Sequence, residues 1–369
     1  MRTDDTRTDG PTKYPRPMPN DNTIPPDADL QRYVRQMCYA PLGAAGQRRI
    51  QQATVLICGC GALGSVLCNT LARAGVGHLR IVDRDFLELN NLQRQVLYDE
   101  QDVADHLPKA IAAANKLRRI NSQIEIEPFV TDVDFTNIES LVQNVDVILD
   151  GTDNFETRFL LNDAAHSFEI PWVYGGCIGA EGQTMTIVPG QTGCLRCLIP
   201  EIPPPGTTPT CDTAGILGPI INIVASFQAC EAIKLISGNQ DQISTVLTIV
   251  DLWDNRIRQI RLDSLRETGT CPTCGQGDYA WLKGQRGSHT AVLCGRNAVQ
   301  LSFPDRAPIA LDRLAESLSS VGRVSRNAFL LRAEIDGYEL TIFLDGRAII
   351  GGTEDPAEAK TIYAKYVGN

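Results

Sequence analysis

Between residues 54 and 153, short apolar runs alternate with longer stretches in which apolar residues recur at helical spacing. Runs at 54–57, 79–82, 124–130 and 145–149 read as strands, and 63–74 and 109–120 as amphipathic helices among them. Strand and helix in alternation predict an α/β fold, a Rossmann-like, mostly parallel sheet with helices on its faces. The rhythm then changes. Strands at 172–174 and 182–188 follow each other directly, and a loop with Glu201-Ile202-Pro203-Pro204-Pro205-Gly206 breaks regular structure, since proline lacks the N–H that a helix interior or central strand uses. An apolar helix is predicted over 214–236, then strands at 246–250 and 256–262 that form a hairpin turning at Asp254-Asn255, an antiparallel extension of the sheet.

Composition sets the boundaries. Residues 1–28 are rich in Thr, Asp, Pro and Asn and hold too few apolar side chains to offset the entropy of ordering, so they read as a disordered tail. A helical pattern begins at Leu30, a large unit runs over 29–280, and a second boundary falls near 275–287. Residues 285–369 read as a small α+β domain, with strands at 339–343 and 348–350 joined at Asp345-Gly346 and a closing helix over 356–366. Its role is not legible. The net charge of -10 and pI near 5.0 argue against a general binder of nucleic acid or anionic membrane, whose domains are basic. No run of about 18 apolar residues and no apolar signal core is visible, so a cytoplasmic protein is expected.

The strand at 54–57 leads into Gly59-Cys60-Gly61-Ala62-Leu63-Gly64 and then a helix. In such a unit the first glycine makes the turn, the second admits phosphate close to the backbone, and the third packs helix on strand, while the helix N-terminus attracts the anion. Asp83, at the end of the next strand, suits ribose hydroxyls. A glycine loop alone fits a dinucleotide. Arg94 adds a planar fork for phosphate oxygens, Asn91 an amide donor and Lys109 a point charge, all after strand ends, where ligands of open α/β sheets bind. Asp153 and Asn154 follow the strand that ends at Asp150; a carboxylate there can hold Mg²⁺ beside phosphates, and the plain alternative is a helix N-cap. Together these residues point to ATP.

Twelve cysteines include two CxxC pairs, Cys194-x-x-Cys197 and Cys271-x-x-Cys274, whose thiolates can close a four-sulfur Zn²⁺ site as a tertiary clasp. Such a site is structural, with no open position for catalysis. Cys211 precedes a predicted helix, where a thiol pKa falls, and stands as a candidate nucleophile beside the alternative of a buried helix-start cysteine. Cys58, Cys60, Cys68 and Cys230 read as packing residues, Cys294 as structural, and His78, His106, His166 and His289 as incidental.

Arg32-Tyr33-Val34-Arg35-Gln36, the glycine loop, Asn91-Leu92-Gln93-Arg94-Gln95, Pro108-Lys109 and Gly151-Thr152-Asp153-Asn154 resemble the MoeB/ThiF family, bacterial relatives of ubiquitin-activating enzymes, over about residues 30–275. The resemblance implies adenylation of the C-terminal glycine of a ubiquitin-like sulfur carrier ending in Gly-Gly, such as MoaD or ThiS. It implies that Asp83 holds ribose, that Asn91, Arg94 and Lys109 hold phosphates, and that Asp153 holds magnesium. It also implies a homodimer in which Arg35 reaches the triphosphate of the neighbouring subunit, and chemistry at Cys211 that some members use and others do not. Ala62 stands where some relatives carry glycine and narrows the room near the phosphates; Leu107 also departs from the usual residue. The length after 285 is too short for the rhodanese domain of some relatives. Two other classes remain open: an NAD-dependent oxidoreductase, which leaves Arg94, Lys109 and Asp153 unexplained, and a non-catalytic zinc scaffold of the same fold.

Overall fold

The computed structural model describes residues 28–203, 211–262, 269–286, 290–293, 297–301 and 309–368. The N-terminal tail, residues 204–210 of the proline-rich loop, His289 and Cys294 lie outside the described residues.

A short 3-10 turn, Ala28–Tyr33, leads into α1 (Val34–Met37) and α2 (Gly43–Gln52). Then come β1 (Thr54–Cys58), α3 (Ala62–Ala74), β2 (His78–Val82), α4 (Glu100–Ala104), α5 (Lys109–Ile120), β3 (Glu125–Phe129), α6 (Ile138–Leu141), β4 (Val147–Asp150) and α7 (Phe155–Ser167). β5 (Trp172–Ile178), β6 (Glu181–Ile187), α8 (Leu195–Leu198), α9 (Cys211–Ala214), α10 (Gly218–Ser237), β7 (Val246–Asp251) and β8 (Arg256–Arg261) complete the larger sheet unit. Its eight strands run in the order β3-β2-β1-β4-β5-β6-β7-β8. β3 through β5 pair in parallel, and β6, β7 and β8 are added antiparallel. The chain therefore reverses its direction of travel across the sheet between β1 and β4, the crevice where open α/β sheets bind ligands.

The strand period of two sorts the core into layers. Val55 and Ile57 of β1 join Leu67 and Leu71 of α3, Ala113 of α5 and Val224 of α10 on one face. Leu56 and Cys58 face the other way, onto Ile138 of α6, Phe159 of α7 and the segment around Cys194 and Cys271. Burial on both faces is why the strands read as continuous apolar runs.

Two expectations need correction. The helix predicted from 214 starts at Gly218, because Gly215 has a left-handed φ of 73° that ends α9, and a proline in the first turn starts α10 afresh. Cys230 is exposed rather than packed, although Cys58, Cys60 and Cys68 are buried as expected. A nearly uniform apolar helix hides which stripe faces outward. α10 is also, among the described residues, the one helix long and apolar enough by composition to cross a membrane, and 61% of its apolar window is buried inside the protein as a core helix.

The C-terminal domain is a second, all-antiparallel sheet whose strands lie in the order Arg323–Arg326, Leu330–Ile335, Tyr338–Phe343, Ala348–Gly351, Ala298–Leu301 and Thr290–Leu293. It contains β9 (Thr290–Leu293), β10 (Ala298–Leu301), α11 (Leu311–Leu318), β11 (Arg323–Arg326), β12 (Leu330–Ile335), β13 (Tyr338–Phe343), β14 (Ala348–Gly351) and α12 (Pro356–Tyr366). Leu311 and Leu318 of α11 and Ile362 and Tyr363 of α12 close its own core over Val299, Leu331 and Ile350.

Candidate active site and cysteine clasp

The loop after β1 is shaped by close backbone approach. Gly59 has φ 85°, and its N–H donates to the Val82 carbonyl at 2.7 Å. A Cβ on Gly64 would lie 1.9 Å from the Gly59 carbonyl oxygen, and one on Gly59 would lie 2.6 Å from that of Gly151. Only glycine lets α3 sit this tightly on the strand, with the 151–154 loop against it. Gly61 differs: the nearest atom to its Cβ position is Gln95 Nε2 at 3.8 Å. Ala62 begins α3 and is half-buried.

Asp83 ties this loop to the next strand end. One carboxylate oxygen accepts the Cys60 N–H and the other the Asp85 N–H, each at 2.7 Å. Burial raises its pKa, and the Lys109 ammonium opposes that rise. Lys109, 5% exposed, sits at the start of α5 with its Nζ 2.9 Å from Asp85 Oδ2. Tyr98 fastens the loop to α5, its hydroxyl donating to the Cys60 carbonyl at 2.6 Å. The ends of β1 and β2 and the start of α5 thus form one charged cluster. Arg94 donates to the Asn90 carbonyl at 2.9 Å from a half-buried position. Asn91 is buried and is spent locally, its Oδ1 accepting the Glu88 N–H in a capping box. Gln95 beside it is 3% exposed, and its Oε1 has no hydrogen-bond partner among the described residues.

After β4 the backbone is organised by a buried ion pair that sequence reading passed over. Asp150 is fully buried, and Arg158 Nε lies 3.1 Å from its Oδ2. Its Oδ1 accepts from the Thr152 N–H and hydroxyl, while Arg158 also donates to the Thr152 and Gly175 carbonyls at 2.7 and 3.0 Å. Burial raises the Asp150 pKa, chiefly against the pull of Arg158. The pair holds the 151–154 turn that presents Asp153 to solvent. Asp153 lies close enough to favour the charged forms of Arg84 and Arg158. Asn154 is the N-cap of α7, with its side chain accepting the Thr157 N–H at 2.8 Å.

Arg35 is not part of this cluster within one chain. It is exposed on α1, whose Gln36 donates to the Ala74 carbonyl at the C-terminal end of α3, the end opposite the glycine loop. The backbone at Cys211 opens α9; its thiol lies outside the described residues.

The two CxxC pairs meet. The four sulfurs of Cys194, Cys197, Cys271 and Cys274 lie within 4.8 Å of one another, with separations of 3.8, 3.5 and 3.3 Å among neighbours. Four ligands about 2.3 Å from a tetrahedral Zn²⁺ stand about 3.8 Å apart, so the cluster fits the ion in size and chemistry. α7 grips both halves. Asn162 Oδ1 accepts the Leu195 N–H at 2.9 Å, and Asp163 accepts from the Thr273 hydroxyl at 3.0 Å and the Trp281 N–H at 2.9 Å.

A doubly wound sheet with a glycine loop, a buried aspartate at the next strand end and a lysine at the switch point defines an α/β protein of the nucleotide-binding type, here with a four-cysteine clasp. The model of the ThiF family matches residues 33–273, and the chain belongs to that family. It is 44% identical to the sulfur carrier protein ThiS adenylyltransferase of Bacillus subtilis over 338 residues, 91% of this chain and 99% of that protein. It is 40% identical to the SAMP-activating enzyme E1 of Haloferax volcanii over 67% of this chain and 90% of that one. Among solved structures, E. coli MccB with ATP aligns with a TM-score of 0.57 and 23% identity over 68% of this chain and 75% of that chain, a likeness of fold.

Proposed function

We propose that this chain is an ATP-dependent adenylyltransferase that activates the C-terminal glycine carboxylate of a ubiquitin-like sulfur-carrier protein and releases pyrophosphate. The observation that carries the reading is the convergence of the glycine loop, Asp83 and Lys109 in a chain 44% identical to a ThiS adenylyltransferase. The ThiS-type carrier is favoured because that match spans 338 residues, more than the 33–273 family region holds, so it reaches into the C-terminal domain.

The carrier carboxylate attacks the α-phosphorus; a carboxyl oxygen–phosphorus bond forms as the bond to the pyrophosphate oxygen breaks. The carboxylate is already ionised at neutral pH, so no general base is needed. The barrier is charge: an anion approaches a polyanion, and cations must be in place beforehand. The α3 N-terminus receives the phosphates, Asp83 takes the ribose, and Arg94 and Lys109 offset charge on the triphosphate. Lys109 keeps one ammonium hydrogen on Asp85 and offers the others to phosphate oxygens at little reorganisation, since the ammonium is already held at the site. Asp153, exposed on the 151–154 turn, would hold Mg²⁺, which when bound would supply positive charge beside the phosphates. Asn154 acts through its cap, which fixes the direction of the Asp153 turn.

Arg35 is exposed on α1, beside the end of α3 opposite its own chain's loop, and in this reading it serves the site of a second subunit in a homodimer. Zn²⁺ in the clasp is structural, held by Cys194, Cys197, Cys271 and Cys274. Cys211 takes no part in adenylation, which needs no enzyme nucleophile. The test is ATP–pyrophosphate exchange: addition of a carrier ending in Gly-Gly stimulates it, and removal of that dipeptide abolishes the stimulation. Exchange that ignores the carrier contradicts the reading. Tight NADH binding with none for ATP would favour an oxidoreductase instead.

A further inference from the structure

The segment from the end of β2 to the start of α5 carries Asp83, Asn91, Arg94 and Lys109, yet its regular structure amounts to a turn at Leu89–Asn91 and the short α4. Segments with so little backbone pairing of their own open easily unless something packs on them. The C-terminal domain packs on this one. Phe86, at its beginning, bridges Pro108, at its end, so the crossover is closed into a loop. Phe86 is 8% exposed and clusters with Ala298, Leu330, Phe343 and Ile349 of the C-terminal sheet. The Arg332 guanidinium lies 4.0 Å from the centre of the Phe86 ring. Asn327 Nδ2 donates to the His106 carbonyl at 2.9 Å, at the other end of the same loop.

A second line of contacts runs deeper. Gln300 Nε2 donates to Asp132 Oδ2 at 2.7 Å, and Arg347 Nη1 lies 3.6 Å from the same oxygen. The other oxygen of Asp132 is 2.7 Å from Arg84 Nη1, Arg84 Nε is 3.7 Å from Asp85 Oδ1, and Asp85 Oδ2 is 2.9 Å from Lys109 Nζ. Charges of alternating sign therefore connect the C-terminal sheet to the lysine at the nucleotide site. These contacts are partly shielded from water, with Arg347 and Lys109 side chains each 6% exposed, so they are coupled more strongly than surface pairs.

We propose that the C-terminal domain is a clamp that fixes the ATP-binding crossover, with Arg332 and Asn327 as positioning residues that act through Phe86 and His106. The proposal rests on the adenylation reading above. Coupling of this kind is reciprocal: if the clamp favours the ATP-binding form of the crossover, ATP must tighten the clamp by the same factor.

The test uses the full chain. Arg332→Ala and Asn327→Ala each raise the KM for ATP about fivefold with kcat unchanged, the scale of coupling between neighbours. Arg332→Lys, which keeps a cation over the ring, restores most of the wild-type KM. A fall in kcat at unchanged KM, or equal KM values in all three variants and wild type, overturns the clamp. Amide hydrogen exchange of the wild-type chain decides the matter even if a variant fails to fold. Saturating ATP slows exchange at 59–64, at 89–109 and also in β12, β13 and β14. Slowing confined to 59–64 and 89–109 overturns the clamp and leaves the adenylation reading standing. No slowing anywhere removes the ATP site itself, and both proposals fall with it.

Discussion

Arg158→Met tests how the 151–154 turn is held. The substitution keeps most of the side-chain volume and removes the charge that faces Asp150, which has no exposed surface, and three donated hydrogen bonds, to Asp150 and to the Thr152 and Gly175 carbonyls. Removing one partner of a buried pair costs roughly 3–5 kcal/mol because the other charge is left uncompensated. The thioether partly refills the space, so a loss of about 3 kcal/mol at pH 8 is expected in urea unfolding followed by circular dichroism. The loss depends on pH. Burial already raises the Asp150 pKa in the folded protein, and without Arg158 the opposing pull is gone and it rises further. An acid whose folded pKa exceeds its unfolded value stabilises the fold below the unfolded pKa, and that stability is lost as pH rises through the folded pKa. The variant therefore suffers least near pH 5 and most near pH 8. A cost under about 1 kcal/mol at pH 8, or one that does not change with pH, refutes the account of the turn.

Gly64→Ala, whose Cβ would stand 1.9 Å from the Gly59 carbonyl oxygen, forces the backbone apart and lowers stability by about 1–3 kcal/mol in thermal or urea unfolding. Asp153→Asn leaves the fold intact, since the side chain is exposed, and raises the Mg²⁺ concentration for half-maximal ATP–pyrophosphate exchange by about tenfold. Elemental analysis of the purified chain finds Zn²⁺ at one atom per chain; Cys274→Ser lowers both metal content and the unfolding temperature, whereas a fully stable metal-free chain would contradict the clasp.

The parallel sheet was legible because both faces of its strands are buried, which leaves continuous apolar runs such as Val55-Leu56-Ile57. The glycine loop was legible because Gly59 and Gly64 each answer a steric demand. The meeting of Cys194 and Cys197 with Cys271 and Cys274 followed from ligand spacing. Other features depend on contacts distant in sequence. Nothing local marks Arg158 as the partner of Asp150, or Asp163 as the acceptor for Thr273 and Trp281, because these pairings exist only once α7 lies behind the sheet. The C-terminal sheet was half visible: β13, β14 and α12 were read from their patterns, while β9 to β12 were not, and one of them, β11, is largely exposed. The start of α10 was misplaced because Gly215 reads as an ordinary small residue until its left-handed φ is known. Cys230 shows the same limit, since hydropathy does not tell the outward stripe of an apolar helix from the inward one.

The decisive activity is the joining of AMP to a carrier's C-terminal glycine. Its most direct test is the intact mass of a ThiS-type carrier after incubation with the chain, ATP and Mg²⁺ in acid-quenched samples. The carrier is expected to become heavier by one adenylyl group, located by fragmentation to the terminal glycine and missing with the Lys109→Ala variant. A carrier of unchanged mass, with ATP consumed or not, would contradict it.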